Sequence, residues 1–114
     1  MRLNNDSWNT RANLLYIESP GSVGFSIGPN NHTDESVSQD NFNALTVFYA
    51  KFPKLRGNAL YLSGESYAGV YIPWLALRIH EYNQRATTTS PFNFKGFMIG
   101  NACTDPMECY DPGL

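Results

Sequence analysis

The chain has 114 residues and a formal net charge of −2, with 42% hydrophobic and 14% aromatic residues. That apolar share is enough to bury a core and argues against a disordered polymer, and the lack of any basic cluster removes the electrostatic footprint of a nucleic-acid binder. No apolar run approaches the roughly 18 residues that a membrane span requires, and Met1-Arg2-Leu3-Asn4-Asn5 does not read as a signal peptide.

Residues 12–17 read as a short buried strand bounded by polar residues, and residues 18–31 hold too much Gly, Pro, Ser and Asn to be anything but a loop. Long loops of that kind in compact domains usually carry function. From about Asp34 to Phe52 the spacing turns helical, with Phe42, Leu45, Phe48, Tyr49 and Phe52 on one face, Asp34 or Ser36 as cap and Pro53 as the stop. A second strand is predicted from Leu60 to Ser63. The helix that follows turns Ile72, Leu75, Ala76, Ile79 and Tyr82 toward the sheet, with Pro73 requiring an irregular first turn or a fresh start. Residues 85–91 form an exposed connector, and Phe94 to Gly100 a third strand. The order strand, helix, strand, helix, strand predicts an α/β fold of parallel strands joined by right-handed crossover helices.

Between the second strand and its helix lies Gly64-Glu65-Ser66-Tyr67-Ala68-Gly69. A serine hydroxyl is a poor nucleophile in water and must be held outward on a tight turn, with a base on one side and backbone donors on the other. A strand-to-helix elbow does this, and it demands small residues at Gly64 and at Ala68 or Gly69, where strand and helix nearly touch. The strict Gly-x-Ser-x-Gly pattern is not met, because Ala68 holds its last place and glycine follows one residue later. The plainer alternative is a strand-to-helix turn with Ser66 as the helix N-cap.

Gly64-Glu65-Ser66-Tyr67-Ala68-Gly69 followed by Tyr71-Ile72-Pro73 closely resembles the serine carboxypeptidases, an α/β-hydrolase family that removes C-terminal residues from peptides. Three further blocks fall in the family's order: Ser7-Trp8-Asn9; then Asn13-Leu14-Leu15-Tyr16-Ile17-Glu18-Ser19-Pro20 with Val23-Gly24-Phe25-Ser26; and Asn93-Phe94-Lys95-Gly96-Phe97-Met98-Ile99-Gly100-Asn101. Together they cover nearly the whole chain. It departs from the family at Asn5, often proline there, at Gly21-Ser22, which replaces Ala-Gly, and in the tail from Cys103 onward. A hydrolase of this architecture normally needs more residues than these. The expectation is therefore a partial α/β-hydrolase domain over residues 1–114, truncated at both ends, with a mostly parallel sheet, crossover helices and a nucleophile elbow.

The resemblance implies Ser66 as the catalytic nucleophile, the backbone N–H of Tyr67 as an oxyanion donor, and Glu65 as a binder of the substrate's terminal carboxylate. It implies no cofactor and no metal, peptide substrates with a free C-terminus, and a secreted, lysosomal or vacuolar location. Beside the nucleophile, Glu65 would repel that carboxylate unless one of the two holds a proton, which implies better binding at acid pH. A base must also be found, and the chain has two histidines. His80 lies about fourteen residues along the helix from Ser66, roughly 20 Å up its axis, and His32 sits inside a sequon near the exposed start of a helix. In the family the triad Asp and His follow the elbow and lie beyond Leu114, and a glycine-rich oxyanion loop precedes this sequence. The piece alone is therefore expected to be inactive. An acyltransferase on the same scaffold, or an inert truncated product, are the competing readings. Cys103 and Cys109 bridge each other or pair with partners elsewhere, and Asn5-Asp6-Ser7 and Asn31-His32-Thr33 are glycosylation sequons.

Overall fold

A computed structural model of the chain describes residues 3–85, 87, 90–105 and 109. Its elements are α1 (Asp34–Lys51), β1 (Leu60–Glu65), α2 (Ala68–Gln84) and β2 (Phe94–Gly100), with short 3-10 turns at Trp8–Thr10 and Pro53–Leu55. β1 and β2 pair in parallel from Leu60↔Phe94 to Glu65↔Gly100. The register slips after Leu60, whose neighbour Tyr61 pairs with Gly96, so Lys95 is left over as a bulge. Gly96 carries φ 154 at that bulge, a conformation that side chains rarely adopt.

The helix expected from about Asp34 starts there, but its cap is Thr33 rather than Asp34 or Ser36. Thr33 is extended, at φ −118 and ψ 158, and its Oγ1 accepts the Ser36 N–H at 3.1 Å while the Ser36 Oγ accepts the Thr33 N–H at 3.0 Å. This reciprocal box satisfies two helix-end donors at once. Asp34 and Glu35 in the first turn and Lys51 in the last oppose the helix dipole. Phe52 does not join the apolar stripe: as C-cap it leaves helical geometry, and it is 51% exposed. Pro53 opens the next turn, as expected of a residue that cannot continue the ladder.

Leu45 and Tyr49 of α1, Leu62 of β1, and Leu75, Ala76 and Ile79 of α2 form the core, with Ile72 and Tyr82 packed against it. Phe92, ahead of β2, closes it at 3% exposure. Its ring meets Phe42, Tyr49 and Tyr82 edge-on, with centroids 5.4–5.7 Å apart. The guanidinium of Arg56 lies 4.5 Å over the same ring. Asn83 holds the Phe92 backbone as a strand neighbour would, its Nδ2 donating to the carbonyl and its Oδ1 accepting the N–H, each at 2.8 Å. Such paired bonds leave no buried backbone group of Phe92 unsatisfied.

The two helices are tied by Arg78. Its Nε donates to the hydroxyl of buried Ser38 at 2.8 Å, Nη1 to Gln39 Oε1 at 2.8 Å and Nη2 to the Glu35 carbonyl at 3.1 Å. α2 runs through Pro73 without interruption, forgoing one ladder bond.

Residues 12–17 overturn one expectation. They form no strand, and Leu14, Leu15, Tyr16 and Ile17 are exposed, Tyr16 by 75%. A strand requires a neighbour to complete its ladder, and no described segment pairs with this one. The observed order is therefore helix, strand, helix, strand, with a sheet of two strands among the described residues. Ala86, Thr88 and Thr89 of the expected connector lie outside the described residues, as does the tail at 106–108 and 110–114. Among the described residues no helix is long and apolar enough to cross a membrane.

Candidate active site

Where β1 ends at Glu65 and α2 begins at Ala68, the chain turns in two residues. Ser66 has φ 59, a left-handed conformation that costs a residue with a Cβ on the order of 1–3 kcal/mol and persists only where the surroundings enforce it. Backbone bonds on both sides do so. The Ser66 N–H donates to the Gly100 carbonyl at 3.0 Å, extending the β1–β2 ladder by one step, and the Ser66 carbonyl accepts the N–H of Gly69 at 2.9 Å and of Cys103 at 2.8 Å. Ser66 is exposed. The helix N-cap is Tyr67, which makes no side-chain capping bond, so Ser66 is not the cap of α2.

Small residues sit where the geometry demands them. A Cβ on Gly64 would run into the Cβ of Ala68 and come within 3.3 Å of Ile72 Cγ1. On Gly69 it would meet the Cys103 backbone, at 2.6 Å from the carbonyl carbon and 2.9 Å from the nitrogen. Both lie below any separation that carbon atoms tolerate, and the obstruction at Gly69 is backbone, which cannot swing aside.

Three segments converge at this end of the sheet. Tyr67 points its hydroxyl at the Asp34 carboxylate, 3.3 and 3.5 Å from the two oxygens, and stacks edge-on against Tyr71 at 5.1 Å. His32 Nε2 donates to the Gly21 carbonyl at 2.9 Å, which fixes that nitrogen as the protonated one and anchors the preceding loop to the start of α1. The loop folds on Glu18: its Oε2 accepts the Phe25 N–H at 2.7 Å and its carbonyl accepts the Ser26 hydroxyl at 2.7 Å. Gly24, at φ 58, lies so close that a Cβ would be 2.5 Å from the Glu18 carboxyl carbon. From the third side the chain leaves β2 through Asn101, at φ 44, and returns over the elbow at Cys103, which is bridged to Cys109.

The family model for serine carboxypeptidases, Peptidase S10, matches residues 1–112. The chain belongs to the serine carboxypeptidase family. It is 48% identical over 104 residues to serine carboxypeptidase-like 22 of Arabidopsis thaliana, a span of 87% of this chain and 22% of that protein. To the pheromone-processing carboxypeptidase KEX1 of Colletotrichum graminicola it is 39% identical over 117 residues, covering 100% of this chain and 19% of the other. The structure superposes on the crystal structure of Kex1(Δ)p, a prohormone-processing carboxypeptidase from Saccharomyces cerevisiae, with a TM-score of 0.83 and 32% identity, over 92% of this chain and 24% of that one. The fold is accordingly that of part of an α/β-hydrolase, and the chain spans about a fifth to a quarter of the length of these relatives.

Of the residues singled out in the sequence, Glu65, Ser66 and Tyr67 are contiguous at the elbow, with Glu65 and Ser66 exposed and Tyr67 half-buried. The histidines are elsewhere. His80 is exposed on α2, twelve residues into the helix from Ala68 and so about 18 Å along its axis, and His32 is committed to Gly21. A parallel sheet already puts residues 18–33 and the chain from Asn101 onward at the elbow's end of the strands; the individual contacts of Cys103 with the elbow and of Asp34 with Tyr67 were not foreseen. No local pattern announces either, because the partners are more than thirty residues apart.

Proposed function

We propose that this chain is the nucleophile-bearing portion of a serine-type carboxypeptidase that releases C-terminal residues from peptides through an acyl-enzyme on Ser66. One observation carries the reading: an exposed serine in a left-handed conformation between a parallel strand and the helix after it. A left-handed backbone that three hydrogen bonds enforce is a pre-organised device rather than a relaxed turn.

In this mechanism the Ser66 Oγ attacks the carbonyl carbon of the last peptide bond and passes its proton to a base. The C–N bond then breaks, the terminal amino acid departs with that proton, and water hydrolyses the ester left on Ser66. Charge developing on the carbonyl oxygen is met by the backbone N–H of Tyr67, at the positive end of α2. Glu65 receives the substrate's free carboxylate through a shared proton, so binding strengthens toward acid pH. His32 and His80 are both unsuited to serve as the base, and the family resemblance assigns that role to a histidine, oriented by an aspartate, in the part of the relatives' length that this chain does not span. The Cys103–Cys109 bridge supports an oxidising compartment, in keeping with a secreted, lysosomal or vacuolar protein.

The test uses the full polypeptide that carries this sequence. With N-blocked dipeptides it is expected to release the terminal amino acid, and an organophosphonate serine probe is expected to label Ser66. Ser66→Ala should abolish both. Glu65→Gln should shift the pH profile of peptide hydrolysis more than that of ester hydrolysis. Transfer from acyl-glucose donors without dipeptide hydrolysis would replace the reading with an acyltransferase, and labelling at a serine other than Ser66 would overturn it.

A further inference from the structure

We infer that Cys103, closed onto Cys109 by its disulfide, is a positioning residue for the nucleophile: its backbone N–H, held against the Ser66 carbonyl, keeps Ser66 in the left-handed conformation that presents the hydroxyl. The inference rests on the reading of Ser66 as nucleophile and adds to it a second segment of the chain that holds the elbow.

A strained residue relaxes unless its neighbours over-determine it. Of the three backbone bonds on Ser66, the one from Gly69 is local to the turn, and the one to Gly100 is the last step of the sheet ladder. The third comes from Cys103, beyond the end of β2, where irregular chain would ordinarily be the first to fray. Two features keep it in place. Gly69 lacks the Cβ that would collide with the Cys103 backbone, so this segment lies directly on the first turn of α2. The disulfide then closes the chain from Cys103 to Cys109, six residues on, and the Cys109 N–H donates to the Asp105 carbonyl at 3.0 Å within the same loop.

The small size of that loop matters. Cross-linking stabilises a whole chain more the longer the loop it closes. A bridge between near neighbours acts chiefly on the residues it joins, and here one of the two, Cys103, is hydrogen-bonded to the nucleophile's carbonyl. The sulfur atoms do no chemistry in this role; they act through the backbone of residue 103.

The test compares the native full polypeptide with the Cys103→Ser/Cys109→Ser double variant. The read-outs are the rate of Ser66 labelling by an organophosphonate, kcat and KM for a blocked dipeptide, far-UV circular dichroism, and hydrogen exchange of the residue-103 amide. A displacement of the order of an ångström at the reacting atom costs up to about a hundredfold. The double variant should therefore label about ten- to a hundredfold more slowly, with kcat falling in step, KM within about twofold of native, unchanged helix content and faster exchange at residue 103. Equal labelling rates overturn the inference while leaving the nucleophile reading intact; no labelling of native Ser66 overturns both. If the double variant loses its fold, the bridge is a general staple and the inference fails. A second measurement needs no variant: in the native protein the Cys103 amide should exchange as slowly as the Ser66 amide, and free exchange there is equally fatal.

Discussion

Replacing Gly69 with alanine isolates the contact between the first turn of α2 and the chain after β2. Three effects compete. Alanine is favoured over glycine in a helix interior by up to about 1 kcal/mol. Against this, the new Cβ meets the Cys103 backbone, 2.6 Å from its carbonyl carbon, and forced overpacking of that kind costs about 1–3 kcal/mol. If the segment moves away to relieve the clash, the bond from the Cys103 N–H to the Ser66 carbonyl is lost, a further 0.5–1.5 kcal/mol or so. The sum is a net destabilisation of about 0.5–4.5 kcal/mol, so the steric effect wins. Gly57→Ala is the control, because a Cβ there meets nothing within 4 Å and the backbone is not left-handed; it should stabilise by about 0.4–1 kcal/mol through the unfolded state. Urea unfolding at constant m separates the two, with the midpoint falling for Gly69→Ala and rising for Gly57→Ala. A Gly69→Ala protein as stable as native would refute the packing of the 103 segment on the elbow.

Ile79 is fully buried between α2 and the rest of the core, so Ile79→Ala should cost about 2–5 kcal/mol in the same assay; a loss under about 1 kcal/mol would mean that the core is laid out differently. Thr33→Ala removes one half of the capping box and should cost about 0.5–2 kcal/mol, which restoring serine at 33 should largely recover. Burial pushes the Tyr49 phenol above its ordinary value of 10.0, with Arg56 pulling the other way. The sign follows: above about pH 10 the unfolded chain ionises this tyrosine before the folded one does, so stability is complete below that pH and declines as pH rises through the folded value. Unfolding of native and Tyr49→Phe at pH 8 and pH 11 checks this, and identical pH slopes would contradict it.

The elbow was legible because everything that specifies it is local. A short apolar strand, a two-residue turn and a helical stripe are contiguous from Leu60 to Ile79, and the small residues at Gly64 and Gly69 report a close approach whatever lies opposite. What lay opposite Gly69 was hidden: Cys103 reaches it only because β2 pairs with β1 in parallel and Asn101 turns the chain back. The choice left open for Cys103 and Cys109 was decided in the same way, by a loop that brings their Cα atoms to 5.6 Å. The helix cap was missed by one residue, since Thr33, Asp34 and Ser36 all have capping side chains and only backbone dihedrals choose among them. Phe92 falls between the connector at 85–91 and the strand from Phe94 and draws no assignment from its neighbours, yet Asn83 supplies it with a strand's hydrogen bonds and three rings close around it.

By itself the amino-acid order determined the periodicities, the turn chemistry and the single serine set between a strand and a helix, because each depends on residues within a few positions of one another. Tertiary structure alone decided that residues 12–17, for all their apolar pattern, pair with no other described segment, and that Ser66 is gripped from both sides by the chain leaving β2. Ladder partners and backbone contacts are properties of where distant segments meet, and a strand signal without a neighbour to complete its hydrogen bonds remains only a signal.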